Sequence, residues 1–219
     1  MPDDLNPAAT IWDAPARPKA LLVLAHGAGA GMTHKSMDAI AHGLTQRGIA
    51  VLRYNFPYME RGSKRVDPPP IAHKRVREAA ALARERAARE NSRSLPLFAG
   101  GRSFGGRMTS QTQAIAPLEG VRGLVFFAFP LHPAGAPSDT RAAHLTQVKI
   151  PMLFLQGTRD ALADLALLKR AVKSLAPPAT LVLAENADHS FHVPAKTGRK
   201  DREVLDEILD AAAAWMASV

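Results

Sequence analysis

Short unbroken apolar runs alternate along this chain with longer stretches whose apolar residues recur every three or four positions. The runs are KALLVLAHG (Lys19 to Gly27), IAVLRYNF (Ile49 to Phe56), LPLFA (Leu95 to Ala99), GLVFFAFP (Gly123 to Pro130), IPMLFLQG (Ile150 to Gly157) and TLVLAEN (Thr180 to Asn186). Runs of this length, rich in Val, Ile, Leu and Phe, predict strands buried on both faces. Between them, Met37, Ile40, Ala41 and Leu44 fall at helical spacing within Ser36 to Gly48, with Gly48 as the C-terminal cap. The same reading places helices over Ile71 to Asn91, Phe104 to Ala116, Ala163 to Leu175 and Asp201 to Met216. PYMERGSKRVDPPP (Pro57 to Pro70) reads as a loop, and TIWDAP near the N-terminus as one short additional edge strand. Strands alternating with helices predict an α/β chain with a mostly parallel sheet of six to seven strands and helices on both faces. With no internal repeat or linker, residues 1–219 are expected to form one domain.

Composition adds exclusions. The chain has no cysteine, which removes disulfides, thiolate metal sites and a cysteine nucleophile. MPDDLNPAATIWDAP has acidic residues and prolines but no apolar core, unlike a secretory signal. The apolar runs fall far short of the ~20 residues a spanning helix needs. A soluble, cytoplasmic protein with no membrane partner is expected. The net charge of +8 raises the question of nucleic acid. Much of that excess lies in His73 to Arg93, where arginines and glutamates alternate as on a solvated helix face. Aromatics make up 5% of the chain and none interleave with the basic residues, so no nucleic-acid partner is expected.

In an open parallel sheet the loops following the strands share one edge, where ligands bind. Four such loops carry chemistry. Gly101-Arg102-Ser103-Phe104-Gly105 fits G-x-S-x-G between a strand and a helix, with Gly100 and Gly106 extending the small-residue allowance. A serine there projects its hydroxyl from a strained turn, beside helix N-terminal N–H groups suited to an oxyanion. His26-Gly27-Ala28-Gly29-Ala30-Gly31 follows the first strong strand and suits an oxyanion-hole loop. It also grades into GAGMTHKS (Gly29 to Ser36), a phosphate-loop pattern except that His34 stands where the pattern needs glycine. Asp160 follows one buried strand and His189 the last. A serine hydroxyl needs a histidine to take its proton, and the histidine needs a carboxylate to fix its tautomer. Asp160 also suits a helix N-cap; Asp188 is the alternative acid and His192 the alternative base. The other histidines show no metal-ligand spacing, and neither a catalytic metal nor a cofactor is expected.

Together HGAGAG, GRSFGG, GTRDAL and NADHSF, in the chain order serine, acid, histidine, resemble the alpha/beta-hydrolase superfamily from about Lys19 onward. RYNFPYMERGSKRVDPPP, GGRSFGGRM and FPLHPAG further resemble a small lidless branch that includes the testis-expressed and NSL-complex hydrolase-like proteins and bacterial relatives. The resemblance implies Ser103 as nucleophile, His189 as base, Asp160 as acid, and the backbone N–H groups of Ala28 and Phe104 as oxyanion hole. Only 20 residues, Leu131 to Ile150, occupy the place of a lid, too few for a cap of several helices. Arg102, Arg107 and Arg159, with Arg53 and Lys35 near the same edge, suggest an acidic substrate, although surface arginines commonly pair or solvate. Met32, Met59 and Met108 are assigned to core packing. The expected function is hydrolysis of a small-molecule ester or thioester through an acyl-enzyme on Ser103. The alternatives are a catalytically silent scaffold subunit of the same fold and, less favoured, a nucleotide-binding protein.

Overall fold

A computed structural model describes residues 5–6, 9–89 and 95–219. Seven strands form one sheet: β1 (Thr10–Asp13), β2 (Ala20–Ala25), β3 (Ile49–Tyr54), β4 (Leu97–Arg102), β5 (Val121–Phe127), β6 (Met152–Gly157) and β7 (Thr180–Ala184). Their order is β1-β3-β2-β4-β5-β6-β7. β1 pairs antiparallel with β3, and every other neighbouring pair is parallel. The N-terminal edge strand is thus present, and β2 and β4 occupy the middle, where parallel strands need cover on both sides.

That cover comes from α1 (Lys35–Gln46) and α6 (Asp201–Ser218) on one face, and from α3 (Pro69–Arg89), α4 (Phe104–Ile115) and α5 (Leu165–Lys173) on the other. Alternation along β2 feeds both layers. Leu21, Val23 and Ala25 join Val76, Ala79 and Met108, while Leu22 and Leu24 join Ile40, Leu44 and Leu209. The 47% apolar content therefore packs into two cores rather than one.

Several boundaries move from their sequence expectation. β4 runs on through the glycines to Arg102, because pairing with β5 continues to Phe127. The segment after β3 is not all loop: Pro57–Glu60 form a single turn, α2, opened by proline at its first position. α3 begins at Pro69, two residues early, since proline is tolerated in a first turn; its expected end at Asn91 lies outside the described residues. α5 starts at Leu165, capped by Asp164, whose side chain accepts from Leu167 N–H. The 131–150 connection holds one 3₁₀ segment, Thr140–Gln147, packed against α4, and no separate lid domain. No helix of the described residues is long and apolar enough to cross a membrane.

Candidate active site

Ser103 joins β4 to α4 at φ 51° and ψ −116°, a left-handed conformation that costs a residue with a Cβ about 1–3 kcal/mol. The turn survives because the surroundings fix it. Ser103 N–H donates to the Phe127 carbonyl at 3.0 Å, and Ser103 O accepts from Arg107 N–H at 3.1 Å as α4 begins. The neighbouring glycines permit the approach. A Cβ on Gly101 would lie 2.5 Å from Ala25 O, and one on Gly105 would lie 2.6 Å from both Ala25 O and His26 O. Backbone cannot yield at those distances, so β2 and α4 touch only because both positions are bare.

His189 reaches Ser103 from the loop after β7, its Nε2 lying 2.9 Å from Ser103 Oγ. Its Nδ1 lies 2.7 Å from Asp160 Oδ2, and the Asp160 side chain is fully buried. A carboxylate oxygen only accepts, so Nδ1 carries the proton and the Nε2 lone pair faces the serine hydroxyl. Asp160 is itself held: Gln156 Nε2 donates to Oδ2 at 2.5 Å, and Leu162 N–H donates to Oδ1 at 2.8 Å. Asp164 rather than Asp160 caps α5. The alternative partners are occupied elsewhere. Asp188 Oδ1 braces its own loop by accepting from Ser190 and His192 N–H, while His192 pairs with Asp201, which holds the exposed imidazole above its usual pKa.

Gly27 and Ala28 are set by two side chains. His26 is buried, and its Nε2 accepts Phe56 N–H at 3.0 Å, which leaves Nδ1–H to donate to Gly27 O at 2.7 Å. Burial holds this imidazole neutral, its pKa lowered to about 4. Tyr58 Oη lies 3.3 Å from Gly27 O and 2.9 Å from Ala28 O. With the Gly27 carbonyl claimed on that side, peptide planarity turns Ala28 N–H the opposite way. Gly27 lies against the elbow, since a Cβ on it would be 3.8 Å from Ser103 Cβ. Neither Ala28 N–H nor Phe104 N–H donates to a protein acceptor among the described residues. The donors that follow Gly27 and Ser103 in the chain are therefore both unpartnered.

A family model described as an alpha/beta hydrolase domain matches residues 18–217. The chain belongs to the alpha/beta hydrolases. Among solved structures it is similar to a dienelactone hydrolase from Anabaena variabilis, at 21% identity over 95% of this chain and 90% of that one, with a TM-score of 0.74. It is also similar to a serine hydrolase without lid from Xanthomonas campestris, at 23% identity over 94% and 88% of the two chains, TM-score 0.70. Est1E from Butyrivibrio proteoclasticus matches at 13% identity over 96% and 94%, TM-score 0.67.

The remaining sequence candidates scatter around this hydrolase site. Arg102 Nη2 reaches His189 O at 3.3 Å and Ser190 Oγ at 3.2 Å, and burial lowers its pKa. Arg107 lies one turn into α4 and is half-buried, whereas Arg159 is exposed. Arg53 is committed to Asp13 and Asp38. Met108 is fully buried and Met59 packs on the same core. His34 departs from a phosphate loop: it caps α1 itself, Nδ1 accepting from Ser36 N–H at 3.2 Å, so a side chain closes that helix end. An open groove of about 840 Å³ between α1 and α6 meets the site only through Arg102 and residues 190–192; Ser103 lies outside it.

Three contributors carried no functional assignment from sequence. Gln156 was visible as one polar residue ending an apolar strand run, which signals a buried side chain with a specific partner. Tyr58 and the tautomer of His26 had no such signal, because their roles depend on contacts across 30 residues of chain.

Proposed function

We propose that this alpha/beta hydrolase is a serine hydrolase that cleaves a small ester or thioester through an acyl-enzyme on Ser103. The observation that carries the reading is the continuous hydrogen-bonded series Ser103, His189, Asp160, built from three loops and ending on a fully buried carboxylate. Ser103 Oγ attacks the acyl carbon while His189 Nε2 takes its proton. The tetrahedral oxygen develops charge between the N–H groups of Ala28 and Phe104, each such donor supplying about 3–4 kcal/mol of transition-state stabilisation. As the intermediate collapses, His189 returns the proton to the departing alkoxide or thiolate. Water then repeats the sequence on the acyl-enzyme, with His189 again as base. Asp160 holds the tautomer and stabilises the imidazolium formed in each half. No metal or cofactor enters these steps.

Arg102, Arg107 and Arg159 border the site and favour an acidic small-molecule substrate. Its similarity to a dienelactone hydrolase supports an ester-type bond. The short connection over the site and the GGRSFGGRM and FPLHPAG phrases support the lidless branch, working as one cytoplasmic domain without nucleic acid or membrane. Labelling with a fluorophosphonate probe, read by intact mass on wild type and Ser103→Ala, tests this. The expected result is one adduct on wild type and none on the variant. No adduct on folded wild type would reject the enzyme reading and leave a silent scaffold subunit.

A further inference from the structure

α4 is buried around most of its circumference. Arg107, Gln111 and Ala114 are only partly covered, and they continue at helical spacing from Ser103. This stripe runs away from the nucleophile between α3 and the 3₁₀ segment Thr140–Gln147, both of which pack on α4. The groups facing it from those elements are basic or neutral. From α3, His73 Nε2 lies 3.2 Å from Gln111 Oε1, and Arg77 Nη2 donates to the Thr112 and Ala116 carbonyls at 2.9 Å. From the 3₁₀ segment come Arg141 and His144, the latter with Nε2 2.7 Å from Ser110 Oγ. Ser110 spends its single hydroxyl proton on Arg107 O at 2.9 Å, so His144 is the donor in that pair and not a second catalytic base.

No carboxylate forms an ion pair with Arg107 or Arg141 among the described residues. Arg107 Nε is moreover buried without a hydrogen-bond partner. Burial and the neighbouring Arg141 both lower the Arg107 pKa. Burial, Arg107 and His73 together push His144 down to about 4. Two guanidiniums gathered without a counter-ion repel one another and hold the imidazole of His144 beside them neutral, an arrangement that an arriving anion relieves. Guanidinium geometry suits a planar carboxylate in particular.

We infer that Arg107, one helical turn from Ser103, and Arg141, on the 3₁₀ segment packed against the same helix, form a subsite for a carboxylate carried by the substrate. This rests on the hydrolase reading and narrows it to carboxylate-bearing esters. The test compares kcat/KM within two matched pairs. On the acyl side these are para-nitrophenyl hemiglutarate and para-nitrophenyl pentanoate; on the alcohol side, para-carboxybenzyl butyrate and para-methylbenzyl butyrate. Wild type should prefer the carboxylate member of one pair by about tenfold or more, the scale of a charge-assisted bidentate contact. Arg107→Gln should reduce that ratio at least about fivefold, Arg107→Lys should reduce it less, and the distant Arg122→Gln should preserve it. Equal rates within both pairs, or a ratio indifferent to Arg107→Gln, would overturn the inference. Glutarate binding to the Ser103→Ala protein, followed by NMR of the His144 imidazole, gives a readout free of chemistry. The bound anion should raise the His144 pKa, and Arg107→Gln should abolish the shift. An unmoved His144 would reject the subsite even in an active enzyme, while a shift, where the wild type takes no fluorophosphonate adduct, would reject only the hydrolase reading.

Discussion

Acidification should break the bond between His26 and the Phe56 N–H before most of the fold responds. His26 Nε2 must keep its lone pair to accept Phe56 N–H, so protonation would set one N–H against another inside the core. Its native pKa is lowered to about 4 from an ordinary 6.5. Between those values the unfolded chain binds a proton that the native chain refuses, so stability is full above the higher value and is lost as pH falls towards the lower. Linkage then gives a loss of about 2–3 kcal/mol from this residue between about pH 8 and about pH 4.5. Urea unfolding at those two pH values, for wild type and for the non-titrating His26→Asn, isolates it, because every other group titrates in both proteins. Wild type should lose about 2–3 kcal/mol more than the variant on acidification, even though the variant starts less stable for want of the imidazole bonds. If both proteins lose the same free energy to within about 0.5 kcal/mol, burial is not holding His26 neutral and the tautomer argument fails.

Asp160→Asn should lower kcat about 10³–10⁴-fold with little change in KM, as read by steady-state hydrolysis of a neutral ester. With its amide oxygen on Leu162 N–H, the new NH₂ would face Gln156 Nε2 and His189 Nδ1–H, forcing the wrong tautomer. Gly105→Ala should cost about 3 kcal/mol or more, or give insoluble protein, since its Cβ meets the Ala25 and His26 carbonyls at 2.6 Å. Gly29→Ala, whose Cβ meets nothing within 4 Å, should leave thermal unfolding within about 2 °C of wild type; an equal loss in both variants would show that close approach is not what the elbow glycines provide.

Local pattern determined a large part of this protein. Apolar runs of strand length alternating with helical periodicity specify a parallel sheet between helix layers, because only that arrangement buries strands on both faces. G-x-S-x-G at a strand–helix junction, with Asp160 and His189 after later strands, placed the candidate chemistry on one sheet edge by topology alone. Tertiary structure decided what depends on distant partners. A single-turn helix at Pro57–Glu60 carries no periodicity to read, yet it brings Tyr58 onto the Gly27 and Ala28 carbonyls. Whether Asp160 caps a helix or faces a histidine is ambiguous locally, and the packing of β6 beside β7 resolves it. The arginines look alike in sequence. Arg53 meets carboxylates, Arg102 meets the His189 carbonyl, and Arg107 faces the cation of Arg141. Charge type is written in the residue, but the counter-ion comes from whichever segment folds against it.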